Sequence, residues 1–344
     1  MSAINKYHNT RVLISQIPEG VAPNVSHFRT VTEVESPVLQ EREIYVKNLI
    51  FSLDPYIRHE FSEGQTESSV VGFSIAKVIE SKNPAVPVGA TVFAPTHWAE
   101  HSHIQGDEYL NDVHVLDEVI DPEIPLYAWN GVLGVPGYTV YDSLNSVGDL
   151  KKGETIYISS AAGTLGQLAG QMAKRKGLRV FGSAGTDEKV AYLKNELGFD
   201  GAFNYKTVPD KRAALTELVG EGGLDIYYDL VADDTVEIAL DLLNPRGRII
   251  FIGLLAGHQN KEPHAPKNLV NILFKQLRYE GYIVFDRYDG FPQFWKEWTP
   301  LVKEGMIKYT QVVKKSDVAG LPQIYVDLLN GAFQGKVNVE IASA

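Results

Sequence analysis

Between residues 155 and 253 the chain alternates short β-branched and aromatic runs with amphipathic stretches, and few folds accept that alternation. TIYI, RVFGSAG, GAFNYK, LDIYYDLV and GRIIFIG read as strands. The segments between them, from TLGQLAGQMAK to DDTVEIALDLLN, carry the apolar spacing of helices. Strands joined by helices of this length form βαβ units, with helices on both faces of a parallel sheet. Right-handed crossovers then make a doubly wound, Rossmann-type sheet the expected result.

The first of these units, TIYISSAAGTLGQLAGQMAK at 155–174, has the shape of a phosphate cradle. A strand enters a turn of small residues, and Leu165, Leu168, Ala169 and Met172 then share one helix face. Amides at the helix start point outward and the helix dipole favours an anion, so a dinucleotide pyrophosphate suits the turn. Gly163 and Gly166 keep the three-residue step, with Ala162, Thr164 and Leu165 around them, but Ser160 stands where a first glycine would be. Taken alone, the turn also fits a strand-to-helix connection that holds no ligand.

Before residue 128 the texture differs. RVLI, EIYVKNLIFSLD and SIAKVIES are strand-like, close together and broken by prolines, and helical pattern is scarce. The reading is a β-rich domain over 1–127, a nucleotide-binding domain over 128–299, and a return of about 300–344 to the first domain, because the terminal strand GKVNVEIA has to pair. The chain has 344 residues, enough for two filled cores, and a net charge of -11 that argues against a nucleic-acid surface. There is no cysteine, which removes disulfides, thiolate nucleophiles and thiolate zinc sites. MSAINKYHNTRVLI has no apolar signal region and no segment reaches a membrane-spanning length, so a cytoplasmic protein without membrane partners is expected.

The second strand of such a fold ends beside the adenosine ribose, where an Asp or Glu selects NAD. Here the count of twenty from Gly163 lands on Ser183, in Gly182-Ser183-Ala184-Gly185. No carboxylate guards the strand end. Lys189, on the next helical turn, can reach a 2′-phosphate, or it can remain a solvated lysine paired with Asp187 and Glu188. NADP is favoured over NAD.

FSLDPYIR at 51–58, GFSIAKVIES at 72–81, LGVPGYTVY at 133–141, SSAAGTLGQLAGQMAK at 159–174, VFGSAGTDEKV at 180–190 and GFDGAFNYK at 198–206 occur in order along the chain. Together they resemble the zinc-independent medium-chain dehydrogenases/reductases, in particular the prostaglandin reductase and alkenal double-bond reductase branch. The resemblance implies a GroES-like domain beside the Rossmann domain, a homodimer, and NADPH-dependent reduction of the C=C bond of small hydrophobic α,β-unsaturated aldehydes or ketones without a metal. Quinone or allylic alcohol chemistry on the same scaffold is an alternative. A His59-Glu60 pair occurs in zinc-bearing relatives, but with no cysteine partner a zinc site is not expected.

The resemblance also places residues. Gly163 to Gly166 match the pyrophosphate turn, and Lys189 and Tyr205 match the lysine and tyrosine around the 2′-phosphate. Gly253 and Ile283 are carried with them as cofactor positions. Tyr56 and Phe73 match aromatics of the enone pocket, although aromatics at strand ends are as often core. In GLLAGHQN, His258 takes the place of a tyrosine that hydrogen-bonds the carbonyl oxygen in the family, and imidazole could do the same or supply a proton, or it could equally be a solvated loop histidine. Leu230-Val231-Ala232-Asp233 replaces Asn-Val-Gly-Gly, and Phe333 replaces an asparagine. Those losses keep open an NADPH-binding sensor or structural protein with little turnover.

Overall fold

The apolar runs at 11–14 and 43–54 fall in strands β1 (Tyr7–Ile14) and β3 (Ile44–Leu53), with β2 (Phe28–Glu35) between them. The structure is a computed structural model that describes residues 5–18, 22–59, 65–258, 264–285 and 287–342, without the side chains of Glu108 and His258. β4 (Val71–Ser81), β5 (Thr91–His97), β6 (His101–Ile104) and β7 (His114–Val115) complete the N-terminal set. β3 is covered on both faces, and for that reason the apolar residues of IYVKNLIFSL come in consecutive runs rather than in strict alternation.

In the second unit, Val135–Thr310, lie β8 (Thr155–Ile158), β9 (Arg179–Ala184), β10 (Gly201–Asn204), β11 (Leu224–Asp229), β12 (Leu243–Phe251) and β13 (Arg278–Gly281). They form one sheet in the order β10-β9-β8-β11-β12-β13 with every pair parallel. This is the doubly wound order. The chain runs outward from β8 in one direction and resumes at β11 in the other, so the carboxyl ends of those neighbours form the topological switch point where such sheets bind ligands.

Two apolar stretches of this unit form shorter elements than their length would allow. LVNILFKQL forms a helix only over Val270–Phe274 with no buried residue, and Leu273 and Phe274 are 73% and 77% exposed. RYEGYIVF is a strand only over Arg278–Gly281, all exposed, at the end of the sheet. The sequence reading ends this unit at 299, whereas the compact unit runs to Thr310. The reason is the helix Phe291–Lys303, whose Phe291 and Phe294 pack on Tyr138 of the helix Val135–Ser146 at ring separations of 4.5 and 5.6 Å.

β14 (Gln311–Ser316) and β15 (Lys336–Ile341) belong to the first unit, Met1–Gly134 with Gln311–Ala344. Its larger sheet has the order β14-β15-β3-β4-β5-β7, with β6 also on β3, and β15 lies antiparallel to β3 from Val337↔Leu53 to Glu340↔Ile50. Lys336 is buried there and donates to Leu53 O at 2.9 Å and Asp54 Oδ1 at 2.5 Å. A buried ion pair of this kind sets register more than it adds stability.

Candidate functional site

β8 is buried along its whole length, and the residues that follow it build the turn. Ser159 Oγ donates to Asp229 Oδ1 at 3.3 Å and accepts from Leu230 N at 2.9 Å, joining the turn after β8 to the turn after β11. Ser160 has φ 48, the left-handed conformation that a first glycine would take freely. A side chain there costs about 1 kcal/mol, a strain that the surrounding turn holds in place. Ser160 O accepts from Gly163 N at 2.9 Å and closes the turn.

Gly163 is the N-cap of the helix Thr164–Arg175, with no side-chain acceptor on its first-turn amides. The first backbone bond inward is Gln167 N to Gly163 O, at 3.0 Å. The amides of Thr164, Leu165 and Gly166 therefore remain for a ligand, at the positive end of the dipole. Gly166 has to be glycine: a Cβ there would lie 2.6 Å from Ala161 Cα and 2.6 Å from Ser160 O. Ala162 is buried beneath the turn, and Thr164 and Leu165 are half-buried on it.

Ser183 turns inward. It accepts from Tyr157 Oη at 2.8 Å, and its carbonyl accepts Ala161 N at 2.9 Å, so it supports the phosphate turn through its backbone. The strand end beside it presents other groups. Ala184 pairs with Asn204, and Tyr205 N donates to Ala184 O at 3.1 Å, so Gly185 and Tyr205 leave the sheet together. A Cβ on Gly185 would lie 3.1 Å from Tyr205 Oη and 3.3 Å from Lys206 Cε.

Lys189 stands in the first turn of the helix Asp187–Asn195, its N–H donating to Thr186 Oγ1 at 3.3 Å. Burial, and next the charge of Lys206, lower its ammonium from the ordinary lysine range. Asp187, a carboxylate that could have opposed a phosphate, instead accepts from Asn204 Nδ2 at 2.9 Å. Sequence reasoning passed over Lys206, although it directly follows Tyr205 in FNYK.

Asp229 ends β11 fully buried, its Oδ1 accepting from Tyr227 Oη at 2.8 Å, Val231 N at 2.9 Å and Ala232 N at 3.0 Å. Burial pushes its carboxyl up, against the pull of those amides. Ala232, in place of a glycine, has φ 59. Leu230 is buried, and Asp233 accepts from Thr235 N at 3.0 Å and Lys211 Nζ at 3.1 Å. Gly253 N donates to Asp229 O at 3.2 Å, and a Cβ on Gly253 would be 2.8 Å from Leu230 O. Residues 159–166, 229–232 and 253 thus gather at one carboxyl edge, with Lys189, Tyr205 and Lys206 beside the neighbouring strand. Ile283 lies beyond β13 and is 60% exposed.

Residues 164–303 match the domain family described as zinc-binding dehydrogenase, and residues 10–111 the one described as N-terminal domain of oxidoreductase. The chain is 36% identical over 308 residues to the NADP(+)-dependent 2-alkenal reductase of Nicotiana tabacum, covering 87% of this chain and 88% of that one. It is also 36% identical over 321 residues to prostaglandin reductase 1 of Bos taurus, covering 92% and 95%. The chain belongs to the zinc-independent medium-chain dehydrogenases/reductases. Among solved structures similar to this medium-chain reductase is CurA of Vibrio vulnificus in complex with NADPH, with a TM-score of 0.84 and 26% identity over 97% of this chain and 100% of that one.

The remaining candidate residues of this zinc-independent reductase divide between the units. Tyr56, in the 3₁₀ helix Pro55–His59, is half-buried against the core of the first unit. Phe73 in β4 is buried and stacks on Phe93 at 4.9 Å. Phe333 packs on that core, with Lys314 Nζ 5.4 Å from its ring centroid. His258 closes the short helix Leu255–His258, and its side chain lies outside the described residues, as does Glu60. Among the described residues no group of three His, Cys, Asp or Glu side chains could hold a metal ion, and no helix is long and apolar enough to cross a membrane.

Proposed function

We propose that the protein reduces the C=C bond of α,β-unsaturated aldehydes and ketones with NADPH. The observation that carries this reading is the 36% identity, over 92% of the chain, to a prostaglandin reductase, matched by the same identity to a 2-alkenal reductase. The residues present fit the dinucleotide: an uncapped helix start, a bare Gly166 pressed on the turn, and a strand end without a carboxylate guard. NADPH, when bound, supplies the hydride that goes to the β-carbon.

Gly163, Thr164, Leu165 and Gly166 hold the pyrophosphate through backbone amides, over Ala162, while Ser183 and Gly253 keep the neighbouring backbone close. Lys189 and Tyr205 hold the 2′-phosphate, and Ile283 remains a proposed contact at the nicotinamide end. Tyr56 and Phe73 are assigned to the apolar wall for the conjugated substrate. The oxygen that gains charge as hydride arrives needs a donor in a water-poor site, and His258 is assigned that hydrogen bond or the transfer of a proton to the α-carbon.

NADPH consumption with an alkenal, a cyclic enone, a quinone and buffer, with product analysis, tests the reading. A saturated carbonyl product is expected, and turnover with the quinone alone overturns it. Unchanged turnover of His258→Ala with a good enone removes that residue from the chemistry. A cytoplasmic homodimer is part of the same reading. The exposed edge strand β13 and the nearby apolar Leu273, Phe274 and Phe285 suit pairing with a second copy. Light scattering of Leu273→Asp against the unmodified protein checks the dimer.

A further inference from the structure

Lys206 has no part in the assignments above, yet three features of its placement are those of a ligand-binding group. The first is register. Because Ala184 and Asn204 are the last paired residues of β9 and β10, the backbone at Gly185 and the side chains of Tyr205 and Lys206 share one strand end. The second is clearance. Gly185 carries no side chain, and Lys206 Cε passes 3.3 Å from where a Cβ would stand. The third is charge. Among the described residues no carboxylate forms an ion pair with Lys206, whereas Lys211 on the same edge is bound to both Asp233 and Asp234.

Asn204 arranges this. Its Oδ1 accepts from Lys206 N at 3.0 Å, fixing the backbone, while its Nδ2 holds the Asp187 carboxylate at 2.9 Å. The Lys206 ammonium lies 6.0 Å from the Tyr205 ring centroid, at the limit of a cation–π contact, so the ring guides the side chain without neutralising it. Lys206 and Lys189 are close enough for the charge of one, after burial, to disfavour that of the other, so both ammonium groups are within electrostatic reach of one anion. A phosphate monoester, carrying ~1.5 to 2 negative charges near neutral pH, is an anion of the right size and charge.

We propose that Lys206 is a second cationic ligand of the adenosine 2′-phosphate, acting with Lys189 and Tyr205, and so a determinant of NADPH over NADH selection. The inference rests on the NADPH reading of the site. Its test uses nucleotides that undergo no redox chemistry: calorimetric titration with 2′,5′-ADP and with 5′-AMP. The unmodified protein is expected to bind 2′,5′-ADP more tightly. Lys206→Gln should lose about tenfold of that advantage with 5′-AMP affinity unchanged, and Lys206→Arg should recover most of it. An unchanged ratio in Lys206→Gln overturns the role of Lys206, as does an equal loss for both nucleotides, which marks a structural effect. No preference in the unmodified protein overturns the NADPH reading beneath it.

Discussion

Three helices of the Rossmann unit begin at the carboxyl ends of β8, β9 and β10, and they begin differently. Asp187–Asn195 is capped by Thr186, which accepts from Lys189 N, and Lys211–Val219 by Asp210, which accepts from Arg212 N and Ala213 N. Thr164–Arg175, the longest of the three, has only Gly163 at its N-cap and no side-chain acceptor. Two helices satisfy their first amides from within the chain. The third leaves them without a side-chain acceptor, at the switch point of the sheet. Forgoing a cap typically costs only a few tenths of a kcal/mol where glycine replaces Ser, Asp or Asn. The fold tolerates that loss at the helix start that follows the small-residue turn.

The strongest way to break this contrast is to cap the third helix. Gly163 has φ -73 and ψ 173, which an ordinary residue adopts, and a Cβ there would meet Ser160 O at 3.1 Å, a close fit that a small shift relieves. Gly163→Asp should hold or slightly raise the melting temperature of the free protein. It should weaken NADPH binding by roughly 100-fold or more, since a carboxylate then competes for the same amides and repels the pyrophosphate. Normal NADPH affinity in this variant would mean that the bare helix start is not the phosphate site. Lys189→Ala comes next, with an expected loss of about 10- to 30-fold for NADPH and little change for NADH, read by fluorescence titration.

The capped helices supply the converse. Asp210→Ala removes the acceptor for two amides and should cost about 1 kcal/mol of stability in denaturant unfolding, with NADPH affinity unaffected. Ala232→Gly sharpens the comparison from the turn after β11. It relieves φ 59 at a residue with a Cβ and should stabilise by about 1 kcal/mol or slightly less, because glycine also loses more chain entropy on folding. A destabilised Ala232→Gly would show that the methyl group makes a packing contribution greater than the strain.

The helix start itself was legible in the sequence. Small residues between a β-branched run and an apolar helical face, with Gly163 and Gly166 three apart, describe a turn that few other structures use. Its neighbours were less so. Counting twenty positions located Ser183 but not its direction, and the Ser183 hydroxyl faces Tyr157 in the core. Lys206 was in view as a letter beside Tyr205, but the β9–β10 register is what brings it to Gly185 and within electrostatic reach of Lys189. LVNILFKQL is apolar enough for a buried helix, yet a single chain leaves Leu273 and Phe274 exposed, because apolarity says that a surface prefers cover and not which surface supplies it.

By itself the sequence determined the period of its elements, and with it the parallel doubly wound sheet, since periods of 2 and 3.6 residues bury apolar faces only as strands and helices. It also determined the absence of thiolate chemistry. The tertiary structure alone decided what stands beside what. Ser159 meets Asp229 and Asn204 holds Asp187 through contacts between residues 70 and 17 positions apart. Such contacts follow from strand order and register, which arise from the packing of the whole sheet rather than from any local run of residues.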